Sequence, residues 1–263
     1  MSFEHIRLER AGPVASVTLA RPQVRNAMDD RTLRELTAAF QGLAKDGAVR
    51  VVVVRGEGKD FCAGADVEWM RRAGKLKAAQ GKKDARLLAE MCRAVDECPV
   101  PVIARAHGAV FGGGLGLVSV CDVVVAADDA KMCFSETRLG ILPAVISVFV
   151  LPKIGAANAR RYYLTAEVFG MADAKDMGLV HEVAPAESLD AKVSELVRAV
   201  LRNGPNAVRE AKKLVRKMEG MELSRRVTLA VGTLVRLRSS PEGQEGLSAF
   251  LEKRKAAWVP EEA

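Results

Sequence analysis

Histidine and aromatic residues are scarce in this sequence, and their scarcity removes several chemistries. The three histidines, His5, His107 and His181, stand far apart along 263 residues, and none has the H-x-x-x-H spacing of a helix-borne zinc site. Aromatics make up 5%, with two Trp and two Tyr, which leaves few stacking platforms for single-stranded nucleic acid. The five cysteines, Cys62, Cys92, Cys98, Cys121 and Cys133, are an odd set without a C-x-x-C pair, so neither a disulfide framework nor a zinc cluster is indicated. Reduced, buried thiols are expected. The longest apolar stretch, around 141–152, is interrupted by proline and too short to span a bilayer, and the opening MSFEHIRLER has no apolar signal core. These features lead us to expect a soluble cytoplasmic protein with no membrane and no DNA partner.

Other chemistries fail on motif. No G-x-S-x-G turn is present to carry a serine nucleophile. The cluster Gly112-Gly113-Gly114-Leu115-Gly116 has no Lys-Ser/Thr after it to make a P-loop, and the third glycine of a dinucleotide fingerprint would fall on Leu117.

What is present is a chain with 49% hydrophobic residues, enough for a substantial core. Its 40 Lys and Arg against 33 Asp and Glu give a net charge of +7, which favours anionic partners. Short Val- and Ile-rich runs at 6–8, 14–19, 49–55, 100–106 and 123–126 predict strands. Leu33, Leu36, Phe40 and Leu43 predict a helix over 29–45, so a loose β-β-α rhythm emerges. After about Leu189 the pattern is helical to the end, with Gly204-Pro205, Gly220 and the Ser239-Ser240-Pro241 stretch as breaks. The segment 71–84, RRAGKLKAAQGKKD, has four Lys, two Arg and little to bury. It predicts a mobile surface loop or a frayed helix start, either an ordinary solvated face or a lid for anionic groups.

Two glycine turns stand out. One follows the strand ending near Ala106 and leads through Gly112 into an apolar helix; the other, Phe61-Cys62-Ala63-Gly64-Ala65-Asp66, follows the strand ending near Arg55. Such turns either allow close backbone packing or aim free N–H groups at a ligand. If both converge, they form a two-donor oxyanion hole.

The runs RNAMDDRTL, DFCAGADVEWM, HGAVFGGGLGLVSVCDVVVAADDAKMCFSETRLGILP and LTAEVFGMADAKDMGLVHEV occur in this order over nearly the whole chain. Together they resemble the crotonase (enoyl-CoA hydratase/isomerase) superfamily. The resemblance implies an α/β fold, a crotonase-like spiral of ββα repeats with a C-terminal helical trimerisation region. We divide the chain into a spiral core, 1–195, and an oligomerisation region, 196–263, assembling as a homotrimer or homohexamer. It implies an acyl-CoA substrate, with coenzyme A as part of the substrate and no separate cofactor or metal.

By residue-level match, the thioester carbonyl is expected between the backbone N–H groups of Ala65 and Gly113. Ala63 and Asp66 match the adenine-side part of the AGAD turn, and Arg25 matches a residue that holds the pantetheine or adenine end. Phe250 and Lys253 match the adenine pocket lining given to a neighbouring subunit. Arg25, Phe250 and Lys253 are equally residue types of an ordinary surface or packing site. Trp69, Met70 and Phe149 are candidates for the acyl pocket, at spacings that core residues also show.

Hydratases of this family carry two glutamates. Glu136 matches the later one, whereas the earlier position is Gly116. Without the resemblance, Glu136 reads as a first-turn acid near a Ser135 cap; with it, Glu136 is the proton-transfer residue at C2 of the acyl group. Water addition at C3 would then be assisted by Glu136 itself or by another group, a substrate carboxylate among them. The run SETRLGILPAVIS with PKIGAANARRYYLTAE is similar to bacterial methylglutaconyl-CoA hydratases, making 3-methylglutaconyl-CoA the candidate substrate. Two alternatives stand beside hydration: a Δ3,Δ2-enoyl-CoA isomerase working with one glutamate, and a non-catalytic protein that binds acyl-CoA or RNA.

Overall fold

The computed structural model describes residues 3–260. Strands β1 (Ile6–Ala11) and β2 (Val14–Leu19) form an antiparallel hairpin in register Ile6↔Leu19 to Ala11↔Val14. Helix α1 (Asp30–Leu43) starts where the Asp29 carboxylate accepts the Thr32 N–H at 2.8 Å, and buries Leu33, Leu36, Phe40 and Leu43. Then come β3 (Val51–Gly56), α2 (Val67–Ala73), α3 (Ala78–Asp96), β4 (Val102–Ala106), β5 (Ala109–Phe111) and α4 (Gly113–Ser119). They are followed by β6 (Val123–Ala127), β7 (Lys131–Cys133), α5 (Ala144–Thr165, broken at Gly155), α6 (Met171–Asp176) and β8 (Glu182–Ala184). Helices α7 (Leu189–Leu201), α8 (Pro205–Met218), α9 (Leu223–Arg238) and α10 (Pro241–Leu251) complete the chain.

The main sheet has the order β1-β2-β3-β4-β6-β8, parallel except for the first hairpin. Val51, Val52, Val53 and Val54 of β3 are all buried, as a strand covered on both faces requires. A second, thinner layer consists of the parallel pair β5–β7 and isolated bridges Met28↔Ala65, Cys62↔Val110 and Met132↔Phe169. After β2, β3, β4 and β6 the chain thus passes through a short second-layer contact, which makes the ββα spiral.

The expected strands all form, and the 29–45 helix is α1. Strands β5, β7 and β8 escape sequence reading because three residues are too few to show a period. The basic segment is mostly helical: α2 runs to Ala73 and α3 begins at Ala78. Leu87, Met91, Cys92 and Val95 anchor α3 in the core, and the helix propagates upstream from that anchor through Lys82 and Lys83.

Helix α7 packs on the sheet through Leu189, Val193 and Leu201, and position 195/196 falls inside it. The Arg50 guanidinium ties the C-terminal region to the base of β3, donating to the carbonyls of Leu201 (2.8 Å), Asn203 (2.7 Å) and Trp258 (2.6 Å). Lys212 on α8 pairs with Asp122 at 2.6 Å. Helix α9 has no buried residue, and Val227, Val231 and Leu234 are each more than half exposed. Among the described residues no helix is long and apolar enough to cross a membrane.

Candidate active site

The two glycine turns meet. Cys62 N–H donates to the Ala109 carbonyl at 3.0 Å and Phe111 N–H to the Cys62 carbonyl at 2.9 Å, so the turn after β3 lies alongside the turn after β4. Met28 N–H donates to the Gly64 carbonyl at 2.8 Å and Asp66 N–H to the Met28 carbonyl at 2.9 Å, which fixes the other side of the first turn. Gly112 N–H is anchored on the Cys133 carbonyl at 2.9 Å.

Glycine is required at two points of this junction. Gly64 has φ +106°, and a Cβ there would sit 3.1 Å from the Phe111 carbonyl oxygen. Gly112 adopts φ 47°, ψ −118°, a conformation reserved for glycine, immediately before α4. A Cβ on Gly113 would lie 3.8 Å from the Ala65 nitrogen, so the two amides are neighbours. Among the described residues, neither the Ala65 nor the Gly113 N–H donates a hydrogen bond within the chain. Two free amides side by side, one at the start of α4, are the geometry of an oxyanion-binding pair.

Glu136 stands over this pair. Its Oε1 would be 3.3 Å from a Cβ on Gly112, and its Oε2 is buried without a hydrogen-bond partner. Burial in apolar surroundings pushes the Glu136 carboxyl above its ordinary value, opposed only by a backbone hydrogen bond from its own N–H. The residue begins a 3-10 turn over Glu136–Leu139 whose next members are pinned to the end of α5. Thr137 donates to the Tyr163 carbonyl at 2.9 Å and Arg138 to the Ala166 carbonyl at 2.6 Å. Ser135 makes no capping hydrogen bond, so capping does not account for an acid at this position.

A cavity of about 290 Å³ opens beside Ala65, Gly113 and Glu136. Trp69, Met70, Leu88, Leu142 and Ile146 form much of its apolar wall, and Asp84 is also part of it. Trp69 and Met70, two of the three candidates for an acyl pocket, thus both line this cavity. Phe149 does not: it lines a different cavity with Lys153, His181 and Lys212. Asp84 gives no signal in the sequence because it ends a run of charges that reads as a solvated face.

The remaining expected site residues are spread out. Arg25, in the left-handed region at φ 55°, donates from Nε to Asp60 at 2.7 Å, and its carbonyl accepts the Ala63 N–H at 2.9 Å. The hydrogen bond to Asp60 raises the Arg25 guanidinium further above its ordinary value, and half its side chain remains exposed. Asp66 is committed locally: its carboxylate accepts the N–H groups of Glu68 (3.0 Å) and Trp69 (3.2 Å) and pairs with Arg21 at 3.2 Å. It therefore starts α2 and positions Trp69. Phe250, 82% exposed, and Lys253 lie at the end of α10 on the open surface of the single chain. Among the described residues no cluster of three or more His, Cys, Asp or Glu is placed to hold a metal ion.

Position 116 is closed to a larger side chain. A Cβ on Gly116 would collide with Cγ2 of Ile146, which is buried at 1% exposure and also lines the cavity.

Comparison with known proteins agrees with this architecture. The family model described as enoyl-CoA hydratase/isomerase matches residues 9–261. A crotonyl-CoA hydratase from Syntrophomonas wolfei is 31% identical over 261 residues, covering 98% of this chain and 99% of the relative. The crystal structure of an enoyl-CoA hydratase from Shewanella pealeana superposes with a TM-score of 0.93 at 34% identity, covering 97% of this chain and 96% of that one. Pseudomonas aeruginosa AtuE superposes with a TM-score of 0.94 at 37% identity, covering 98% of this chain and all (100%) of that one. The chain belongs to the enoyl-CoA hydratase/isomerase family, the crotonase superfamily, and is an enzyme of that family.

Proposed function

We propose that this protein hydrates the 2,3 double bond of an α,β-unsaturated acyl-CoA. The observation that carries the reading is the Glu136 carboxyl, buried with one oxygen unpartnered, over two free amides at the mouth of an apolar cavity. The thioester carbonyl accepts from Ala65 and Gly113 N–H, which stabilise the enolate oxygen as charge develops, with the start of α4 adding its dipole. A carboxyl held in such surroundings exchanges protons at lower cost than a solvated one. Glu136 takes a proton from water as the oxygen bonds to C3 and delivers it to C2, so one water is consumed and the glutamate is restored.

Arg25, Lys253 and the Ala63–Asp66 turn serve the nucleotide end of coenzyme A in this reading, with the net charge of +7 favouring its phosphates. Phe250 and Lys253, exposed at the end of α10, would contribute to a neighbouring subunit's site in a homotrimer or a homohexamer. Residues 196–263 supply the assembly surface, the exposed apolar side chains of α9 foremost.

A second reading, Δ3,Δ2-enoyl-CoA isomerisation, is favoured by the Gly116–Ile146 contact, which leaves no room for a second carboxylate at position 116. There Glu136 alone moves a proton from C4 to C2. The run around Glu136 supports 3-methylglutaconyl-CoA as substrate, whereas the charge of the cavity wall favours an uncharged chain. Incubation with a 2-enoyl-CoA and a 3-enoyl-CoA in heavy-oxygen water decides. One heavy oxygen in a 3-hydroxyacyl product establishes hydration, and a shifted double bond without oxygen uptake replaces it by isomerisation.

A further inference from the structure

Among the described residues, fifteen line the cavity beside Glu136, and they include two carboxylates, Asp84 and Glu136, but no Lys, Arg or His. None of the basic residues between 71 and 84 is among them. Apart from the carboxyl groups, the one side-chain hydrogen-bond donor among the described residues on this wall is the Trp69 indole N–H, and Trp69 Nε1 already donates to Asp84 Oδ1 at 3.0 Å. Asp84 sits near the start of α3 and Trp69 on α2, so the pair joins the two helices across the wall. The Asp66 cap at the start of α2 holds Trp69 in place for this contact.

A carboxylate at the far end of an acyl chain loses its water on entering such a space and needs a cation or free donors in exchange. Beyond the Ala65 and Gly113 amides, which the thioester carbonyl occupies in the proposed function, this wall offers neither, and it presents a like charge. An uncharged chain loses nothing comparable and gains apolar contact with Met70, Leu88, Leu142 and Ile146.

We infer that Asp84, held by Trp69, is a specificity-determining residue that makes the cavity select uncharged acyl chains and reject acyl groups ending in a carboxylate. The inference deepens the proposed function and rests on it, because the cavity must be the acyl site. It places 3-methylglutaconyl-CoA among the disfavoured substrates.

The test compares kcat/KM of the purified enzyme for 2-pentenoyl-CoA and glutaconyl-CoA, which share a five-carbon chain and differ in the terminal group. The wild-type enzyme is expected to prefer 2-pentenoyl-CoA by about tenfold or more. Asp84→Asn removes the charge and keeps an oxygen for Trp69. It should raise the ratio of kcat/KM for glutaconyl-CoA to kcat/KM for 2-pentenoyl-CoA by about tenfold. Equal use of both thioesters by the wild type overturns the inference. So does an equal loss on both in the variant, which would mark Asp84 as catalytic or structural; an unchanged melting temperature would exclude the structural case. Turnover of neither thioester by the wild type would remove the acyl-CoA reading itself, and the inference with it, a failure distinct from turnover of both without preference.

Discussion

Ile146 fills the space directly against Gly116: its Cγ2 crowds the position that a Cβ on the glycine would take, and Ile146 is also one of the residues lining the cavity beside Glu136. Both residues are buried, Gly116 within a helix α4 that is buried along its whole length and Ile146 of α5 at 1% exposure. The absence of a carboxylate at 116 and the presence of a branched side chain at 146 are therefore one packing solution.

Gly116→Glu alone should lower stability by about 2–4 kcal/mol, through overpacking and an added buried carboxylate. Adding Ile146→Ala should recover part of that loss, because the clash is removed. Thermal unfolding of both variants checks the coupling; additive effects would show that the two residues do not share the space.

Glu136→Gln should reduce kcat about 10²- to 10⁴-fold with melting temperature unchanged or raised. The unpartnered Oε2 is a cost to folding when ionised, and an uncharged amide removes the charge. A variant that kept full hydratase activity would remove Glu136 from the reaction.

The pH dependence has a definite sign. Burial raises the folded-state Glu136 value, so its contribution to stability is full below the unfolded-state value and is lost as pH rises through the raised one. Wild-type stability relative to Glu136→Gln should accordingly fall as pH rises through that window. Asp60 behaves oppositely: burial works against its ionisation, but the Arg25 side chain and the Ala109 N–H together hold it below its ordinary value. Its stabilisation is present above the unfolded-state value and disappears as pH falls, and Asp60→Asn should flatten the acid limb of a stability profile.

All five cysteines are buried, and burial pushes the thiols of Cys62 and Cys121 up to about 12 and raises Cys92, Cys98 and Cys133 as well. Native protein at neutral pH should react with fewer than one equivalent of a thiol reagent on a timescale of minutes, and with five after denaturation. Rapid labelling of the native protein would locate an opening of the core.

Val227, Val231 and Leu234 on α9 are exposed in the single chain. Sedimentation should give a trimer or a multiple of it, and Val231→Lys should shift the distribution to smaller species with far-ultraviolet circular dichroism retained.

Much of this protein was legible along the chain. The Val-rich run 49–55 predicted a strand, Leu33, Leu36, Phe40 and Leu43 predicted the buried face of α1, and the turns at Gly64 and Gly112 marked positions of either close backbone packing or free amides. Each of these signals is local, a period or a backbone conformation that a few consecutive residues impose. What only the tertiary structure decided joins residues far apart in sequence: Ile146 against Gly116, Asp84 turned with Trp69 onto the cavity wall, Glu136 over Gly112 with an oxygen unpartnered, and Asp66 spent on starting α2. A charge at the end of a lysine-rich run and a branched residue in an apolar helix look ordinary in sequence. Their roles come from packing density and desolvation, which depend on what lies opposite, and no local pattern encodes that.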